Sequence, residues 1–418
     1  MLVALSTIGP TEYKIGNYQW GTEAGEIQVC CTDLFPIAVD AFFNPDELLL
    51  IVTSEAKNHK NYQKIEQALQ GKLRPVSVPL GKSEGELWQI FDLIADAVPE
   101  NARVILDVTH AFRSLPLVIF GVINYLRFTK GVTLERIVYG AFDASKAGSG
   151  EAAVVPVFDL TIMIKLQEWL HAVEDFHLRC EGEKLAKLLE DAQGRQWSTG
   201  QGKKDELPRR LKNMGRHMRD FSRSVRLLRP LEALNSAAQA LELAEKIEQE
   251  AERWAKPFKH MLSRIAQELK PLAAGGAGSL DKPFLRSQLS LVRHFLKKGL
   301  VVQAVLMERE WLVSWLVWRA NFGGSWRDKN VRREMEEAMG RAAQHLYRDG
   351  LTEASPPEWY KNLPEADTVT KLWNELTNLR NDLAHCAMND SPAAPDSIMK
   401  RAEDMAKELE QLIGREKS

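Results

Sequence analysis

Cysteine is scarce in this chain: four in 418 residues, with Cys30 and Cys31 adjacent and Cys180 and Cys386 far from them. That spacing fits neither a disulfide framework nor a zinc site, so a reducing cytoplasm is the expected compartment and no metal ligation is expected. A charge excess is also lacking. The 55 Lys and Arg against 57 Asp and Glu leave a net charge of −2, which argues against a protein that coats nucleic acid but leaves room for local basic patches. No basic segment precedes the first apolar run, Met1–Leu5, which stops at Ser6-Thr7 and reads as a first strand rather than a signal peptide. A clean membrane-length run is missing too. The most apolar later segment, Leu300–Trp318, carries Glu308-Arg309-Glu310 at its middle and reads as a buried core helix, with Trp311, Trp315 and Trp318 at core spacing. No partnership with a membrane is expected. Finally, no glycine-rich dinucleotide fingerprint and no Walker loop appears, which weighs against a nicotinamide or ATP enzyme.

What the sequence does contain is a change of rhythm. A hydrophobic fraction of 44% with 27% charged residues is that of a folded protein, and the length suits two or three domains. Through about residue 160, short β-rich runs at Val3–Leu5, Leu48–Val52, Pro75–Val78, Val104–Leu106, Ile137–Tyr139 and Val154–Phe158 alternate with helical patterns near 34–43, 62–70, 83–98 and 115–128. This predicts an α/β, Rossmann-like N-terminal domain with a mostly parallel sheet covered on both faces. From residue 161 the period is helical to the end, an all-α C-terminal half. Proline and glycine punctuate it at 271–283, which divides it into a connector at 161–280 and a second helical unit at 281–418.

In an open parallel sheet, ligands sit beyond the carboxyl ends of the strands. The residues just past those ends are Ser6, Thr7 and Gly9; Thr53 and Ser54; and the run Asp107-Val108-Thr109-His110-Ala111-Phe112-Arg113-Ser114-Leu115-Pro116. Thr109, His110, Arg113 and Ser114 together suit a phosphate or a base edge. Ser and Thr after strands also cap helices, and His110 alone suits a structural role, so the residue types leave both readings open. The run at 107–116 is similar to the signature of the CARF sensor domains of type III CRISPR accessory proteins, with Ala111 where the family usually has glycine. The resemblance covers the first 160 residues. It implies that Ser6, Thr7, Gly9, Thr53, Ser54, Thr109, His110 and Arg113 lie near a cyclic oligoadenylate, a tetra- or hexa-adenylate ring bound across a two-fold dimer interface as an allosteric activator.

In relatives of that kind the output is often a HEPN ribonuclease, marked by Arg, four to six residues, then His. Four pairs satisfy the pattern: Arg103/His110, Arg210/His217, Arg253/His260 and Arg380/His385. The first spans a strand and is about 20 Å end to end. The next two are seven apart on helices and read as solvated faces. Arg380 and His385 are five apart, just before the helix-stopping run at 389–392, with Asn381 four before His385 on its face. An imidazole titrating near neutrality can move protons, and a guanidinium fork suits phosphate oxygens. The implied function is a metal-independent, cofactor-free endoribonuclease that cuts single-stranded RNA by 2′-hydroxyl attack in antiviral defence. His385 would serve in proton transfer, Arg380 on the phosphate and Asn381 in positioning, in a homodimer or higher homo-oligomer. The rival from the residues alone is a non-catalytic, nucleotide-responsive scaffold in which Arg380 pairs with Asp382 or Glu375. A basic run from Arg209 to Arg229 suits either an RNA guide or a solvated face answering the acidic segment Glu242–Glu252.

Overall fold

A computed structural model describes residues 1–21, 25–110, 114–146, 152–199, 207–273, 279–322, 325–347, 355–388 and 391–414. The chain forms two compact units, Met1–Gln167 and Glu168–Ser418.

The first unit holds strands β1 (Leu2–Thr7), β2 (Gly16–Gly21), β3 (Ile27–Thr32), β4 (Glu47–Val52), β5 (Leu73–Ser77), β6 (Arg103–Asp107), β7 (Thr133–Gly140) and β8 (Ala153–Asp159). Its helices are α1 (Phe35–Phe43), α2 (Ser54–Lys57), α3 (Lys60–Ala68), α4 (Glu84–Ala97) and α5 (Leu115–Thr129). The strands make one sheet in the order β3-β2-β8-β7-β6-β1-β4-β5, parallel from β7 through β5. Period-two alternation divides the strand side chains between two cores. Ala4, Leu48, Leu50 and Ile105 face α1 and α3, against Phe35, Ala38, Val39 and Ile65. Val3, Leu5, Leu49, Ile51, Val104 and Leu106 face α4 and α5, against Ile90, Ile94, Ile119 and Ile123. The expected α/β domain with a mostly parallel, doubly covered sheet is therefore present.

Local chemistry sets the helix starts. Ser83 accepts the Glu86 amide at 3.3 Å, and the Glu86 carboxylate takes the Lys82 amide at 2.8 Å, which satisfies donors at the start of α4. Pro116 sits in the first turn of α5, where its missing N–H costs nothing. Gly140 ends β7 beneath α1, and a Cβ there would meet the Phe35 and Tyr18 rings at 2.7 Å. The β2–β3 hairpin is an addition to the expected sheet: β2 pairs parallel with β8, and β3 is an edge strand with Ile27 and Val29 exposed.

The second unit is all helix. It comprises α6 (Ile162–Arg179, which begins within the first unit's range), α7 (Glu183–Thr199), α8 (Leu211–Arg226), α9 (Pro230–Lys246), α10 (Glu248–Trp254) and α11 (Lys256–Leu269). There follow α12 (Lys282–Lys297), α13 (Val301–Arg319), α14 (Lys329–Tyr347), α15 (Glu358–Lys361), α16 (Ala366–Ala384) and α17 (Pro395–Gly414). Asp281 caps α12 by accepting the Phe284 amide at 2.8 Å. Two cores meet at α12 and α13. Phe284, Val292 and Phe295 of α12 and Ala304 and Met307 of α13 join Met218, Phe221 and Ala237. Leu285 and Leu289 of α12 and Trp311 and Trp315 of α13 join Met339, Leu372 and Leu376. The helix α13 is the buried core helix expected at 300–318, with Trp311 and Trp315 fully buried and Trp318 half-buried. Among the described residues no helix is long and apolar enough to cross a membrane.

Candidate functional site

After the β2–β3 hairpin at the far edge, the chain places β4 and β5 on one side of β1 and then β6 and β7 on the other, so the strand order reverses between β1 and β6. Such a reversal opens a crevice at the carboxyl ends of the strands. Ser6 and Thr7 end β1 and are buried, and the Thr7 Oγ1 has no hydrogen-bond partner among the described residues. Asp107 ends β6 beside them. Its Oδ1 accepts the Thr109 amide at 2.8 Å, and its Oδ2 has no partner among the described residues. Burial pushes the Asp107 carboxyl up to about 6, against the opposing pull of the Thr109 hydroxyl and amide and of the Ser6 hydroxyl. Thr109 in turn accepts the Gly140 amide on its Oγ1 at 2.8 Å, which ties the β6 turn to β7.

His110 is built into this edge. Its Nε2 accepts the Phe35 amide at the start of α1 at 3.2 Å, and its ring lies against Tyr13 with centroids 3.9 Å apart. Burial pushes the imidazole down to about 4, so it is neutral at pH 7 with its proton on Nδ1. Gly9 donates its amide to the Tyr13 hydroxyl at 3.1 Å, which links the β1 turn to the same aromatic pair. Thr53 caps the short α2, its Oγ1 accepting the Ala56 amide at 3.3 Å, while Ser54 is exposed at the first position of that helix. Thus Ser6, Thr7, Thr109 and His110 come together at adjacent strand ends, with Gly9 tied to the His110 ring through Tyr13, while Thr53 and Ser54 follow β4 on the other flank of β1. Arg113 lies outside the described residues. Asp107 is the residue that sequence reasoning did not single out; a carboxylate closing an apolar strand directly before Thr-His was the available signal.

The second cluster lies at the end of α16. Val369, Leu372, Trp373, Leu376 and Leu379 form its buried stripe, which leaves Arg380 exposed one position past it. Leu379 and Leu383 seat this end against Leu296, Val301, Val305, Ile398 and Ala402. The helix stops at His385, just before the run at 389–392, as expected. Cys386 takes a left-handed conformation (φ 53), its amide reaches Leu383 O at 3.2 Å, and the Ala387 amide reaches Asp382 O at 3.0 Å. This is a Schellman closure made without glycine. It leaves His385 exposed at the helix end, with Asn381 half-buried one turn before it. Arg380 donates from Nη1 to Asn381 Oδ1 at 3.1 Å, and Glu375 is engaged by Arg401 at 2.6 Å.

The other three Arg/His pairs are otherwise engaged. Arg103 forms a two-point ion pair with Glu135, while His110 is buried at the far end of β6. Arg210 pairs with Glu250 at 2.9 Å, and His217 is half-buried, its imidazole pushed down chiefly by that burial. Arg253 stacks on Trp254 at 4.8 Å, and His260 stands exposed on another helix. The basic run resolves into ion pairs: Arg219 with Glu190, Arg223 with Glu183, and Arg226 with Glu181. Arg210 pairs with Glu250 in the acidic segment at 242–252, and the Arg209 amide donates to the same carboxylate at 3.0 Å.

Residues 165–273 match the family model described as "CRISPR-associated protein MJ1674, second domain". The curated CRISPR-associated protein MJ1674 of Methanocaldococcus jannaschii is 25% identical over 195 residues, 42% of this chain. That stretch spans 28% of the length of the relative. A solved structure, Enterococcus italicus Csm6 bound to cyclic hexa-2′-fluoro-hexa-dAMP, aligns over 99% of this chain and 94% of that one, with a TM-score of 0.42 and 11% identity. The matched domain corresponds to α6–α11, and neither the switch-point residues nor Arg380 and His385 fall within it.

Proposed function

We propose, from the premise that this chain carries a CRISPR-associated domain at residues 165–273, that it is a type III CRISPR accessory ribonuclease switched on by a cyclic oligoadenylate. In this reading residues 1–160 are the CARF-like sensor, 161–280 the connector and 281–418 the HEPN-like effector, and two copies assemble a shared site. The activator, a tetra- or hexa-adenylate ring, lies over the switch point. There the Ser6 and Thr7 hydroxyls and the Nδ1–H of His110 offer hydrogen bonds, Gly9, Ser54 and Thr109 line the same edge, Thr53 holds the α2 turn, and Arg113 supplies charge.

The observation that carries the effector reading is the exposure of Arg380 and His385 five residues apart on one firmly seated helix end, while Arg103 and Arg210 are ion-paired and Arg253 and His260 lie on separate helices. In the reaction, a base takes the 2′-hydroxyl proton as the 2′-oxygen bonds to phosphorus. The P–O5′ bond breaks, and the leaving oxygen takes up a proton. The products are a 2′,3′-cyclic phosphate and a 5′-hydroxyl end. The His385 imidazoles of two copies supply the proton transfers, a contribution typically worth about 10²–10⁴-fold. Arg380 neutralises the charge that gathers on the phosphoryl oxygens. Asn381 holds the Arg380 guanidinium, as its 3.1 Å hydrogen bond supports.

The test incubates purified protein with labelled single-stranded RNA in EDTA, with and without cyclic tetra- or hexa-adenylate. Activator-dependent cutting to 2′,3′-cyclic phosphate ends supports the reading. Tight ring binding with intact RNA refutes the nuclease and leaves the responsive scaffold.

A further inference from the structure

A groove of about 550 Å³ opens between α11, α12 and α17, within the range of small-ligand sites. One wall is a row of cations on α12: Arg286, Arg293 and Lys297. Spacings of seven and four residues place all three on one helix face, about 10 Å and about 6 Å apart along the axis. Arg293 is locked in place by two 2.6 Å hydrogen bonds to Glu410. Arg286 and Lys297 are exposed, and no carboxylate pairs with either among the described residues. The wall opposite is apolar, with Leu272 and Ile413.

Between the cations sits His294, which lines the groove yet is only 7% exposed. Its Nδ1 faces Glu268 at 3.8 Å, and its Nε2 has no hydrogen-bond partner among the described residues. An unpaired ring nitrogen at that depth is costly unless a bound group completes it. Glu268 does not cancel the cationic wall, because its own charge is met behind the groove by the buried Lys298, with His177 on its second oxygen at 2.8 Å.

We infer that this groove binds the phosphate of a nucleotide unit, either a free mononucleotide or one unit of an RNA strand. Lys297 takes the phosphate oxygens beside His294, whose Nε2 completes a hydrogen bond, Arg286 stands about 16 Å along the helix at the other end of the groove, and Leu272 and Ile413 pack against the ribose or base. Three cations in a row on an open helix surface would read as a solvated face. A concave apolar wall opposite them, together with a buried unpaired imidazole, separates this groove from that case. The inference is independent of the nuclease reading, since it concerns binding alone.

The experiment titrates the full-length protein, without activator, by calorimetry in low salt with three probes: adenosine 5′-monophosphate, a 2′-O-methyl tetra-adenylate that 2′-hydroxyl attack cannot cleave, and inorganic phosphate. The comparison protein is R286E/K297E, whose exposed positions leave the core untouched, with circular dichroism as the check on folding. At least a tenfold loss of affinity in the variant for either nucleotide probe is the expected result. Loss for the mononucleotide identifies a free nucleotide as the ligand, and loss confined to the tetramer identifies a strand. Equal affinity of both proteins for both nucleotides, no nucleotide binding by wild type below millimolar, or binding of inorganic phosphate alone overturns the inference.

Discussion

Glu308 offers the most quantitative test of how this chain is built. It sits in the middle of α13, 0% exposed, and neither carboxylate oxygen has a hydrogen-bond partner among the described residues. Loss of hydration pushes its carboxyl from the ordinary 4.5 up to about 8, and the partial offset from Arg293 does not restore it. A tenfold displacement of a proton equilibrium is worth about 1.4 kcal/mol, so holding this proton in the folded state corresponds to about 5 kcal/mol across the full interval. The folded carboxyl binds its proton more tightly than the unfolded one. Its contribution is therefore fully present below about pH 4.5 and is lost as pH rises through about 8. E308Q keeps the shape and removes the titration. Urea denaturation followed by tryptophan fluorescence reports on this region directly, because Trp311 and Trp315 are buried on the same helix. The difference in stability between E308Q and wild type should be smallest near pH 5 and grow by about 3–5 kcal/mol in favour of the variant by pH 8.5. Parallel pH profiles for the two proteins would refute the account of Glu308 as a buried, proton-holding acid.

Replacing Arg380 or His385 by alanine should lower activator-dependent RNA cutting by about 10²-fold or more without changing ring affinity; unaltered cutting rates in a gel assay would remove both from the site. His110, held down to about 4 by burial, contributes stability above its ordinary 6.5 that is lost as pH falls toward 4. Hydrogen exchange of β6 and α1 should accordingly quicken from pH 6.5 to pH 5, after correction for intrinsic rates, and do so less in H110Q; identical pH dependence in the two would contradict it. A glycine in a helix interior usually gains about 1 kcal/mol on replacement by alanine. At Gly215, however, the new Cβ would lie 2.8 Å from Ala186 O. G215A should therefore destabilise α7 against α8 by about 1–3 kcal/mol, and a rise in melting temperature would contradict the close approach.

The parallel strands were legible because each is an apolar run bounded by turn residues, and doubly covered strands have little choice but to read that way. The β2–β3 hairpin was not. β2 alternates the buried Tyr18 and Trp20 with Asn17 and Gln19 over only six residues, and the edge strand β3 exposes Ile27 and Val29 beside the Cys30-Cys31 pair, so no period in β3 marks a core-facing side. At the sheet edge, the turn positions of Ser6, Thr109 and His110 could be read, but not the partner of each. The contact between His110 and the Phe35 amide joins residues 75 apart in the chain, and no local spacing announces it. The end of α16 near His385 was legible from the run at 389–392 that follows, but not the left-handed conformation of Cys386, usually reserved for glycine or asparagine. The ion pairs of the basic run depend on how α7 lies against α8, which composition does not contain.

The helices α12 and α13 serve as a party wall, each plastered on both sides. Neither neighbouring room can be emptied without exposing that wall to water, so residues 168–414 should melt as one block, whichever room is damaged first. A truncation in the first room, such as Phe221→Ala, should thus loosen amides of α16 as well, although the two belong to different cores. Any message entering this block is delivered to the whole of it, and a helix end such as that bearing His385 moves with the masonry or stays put.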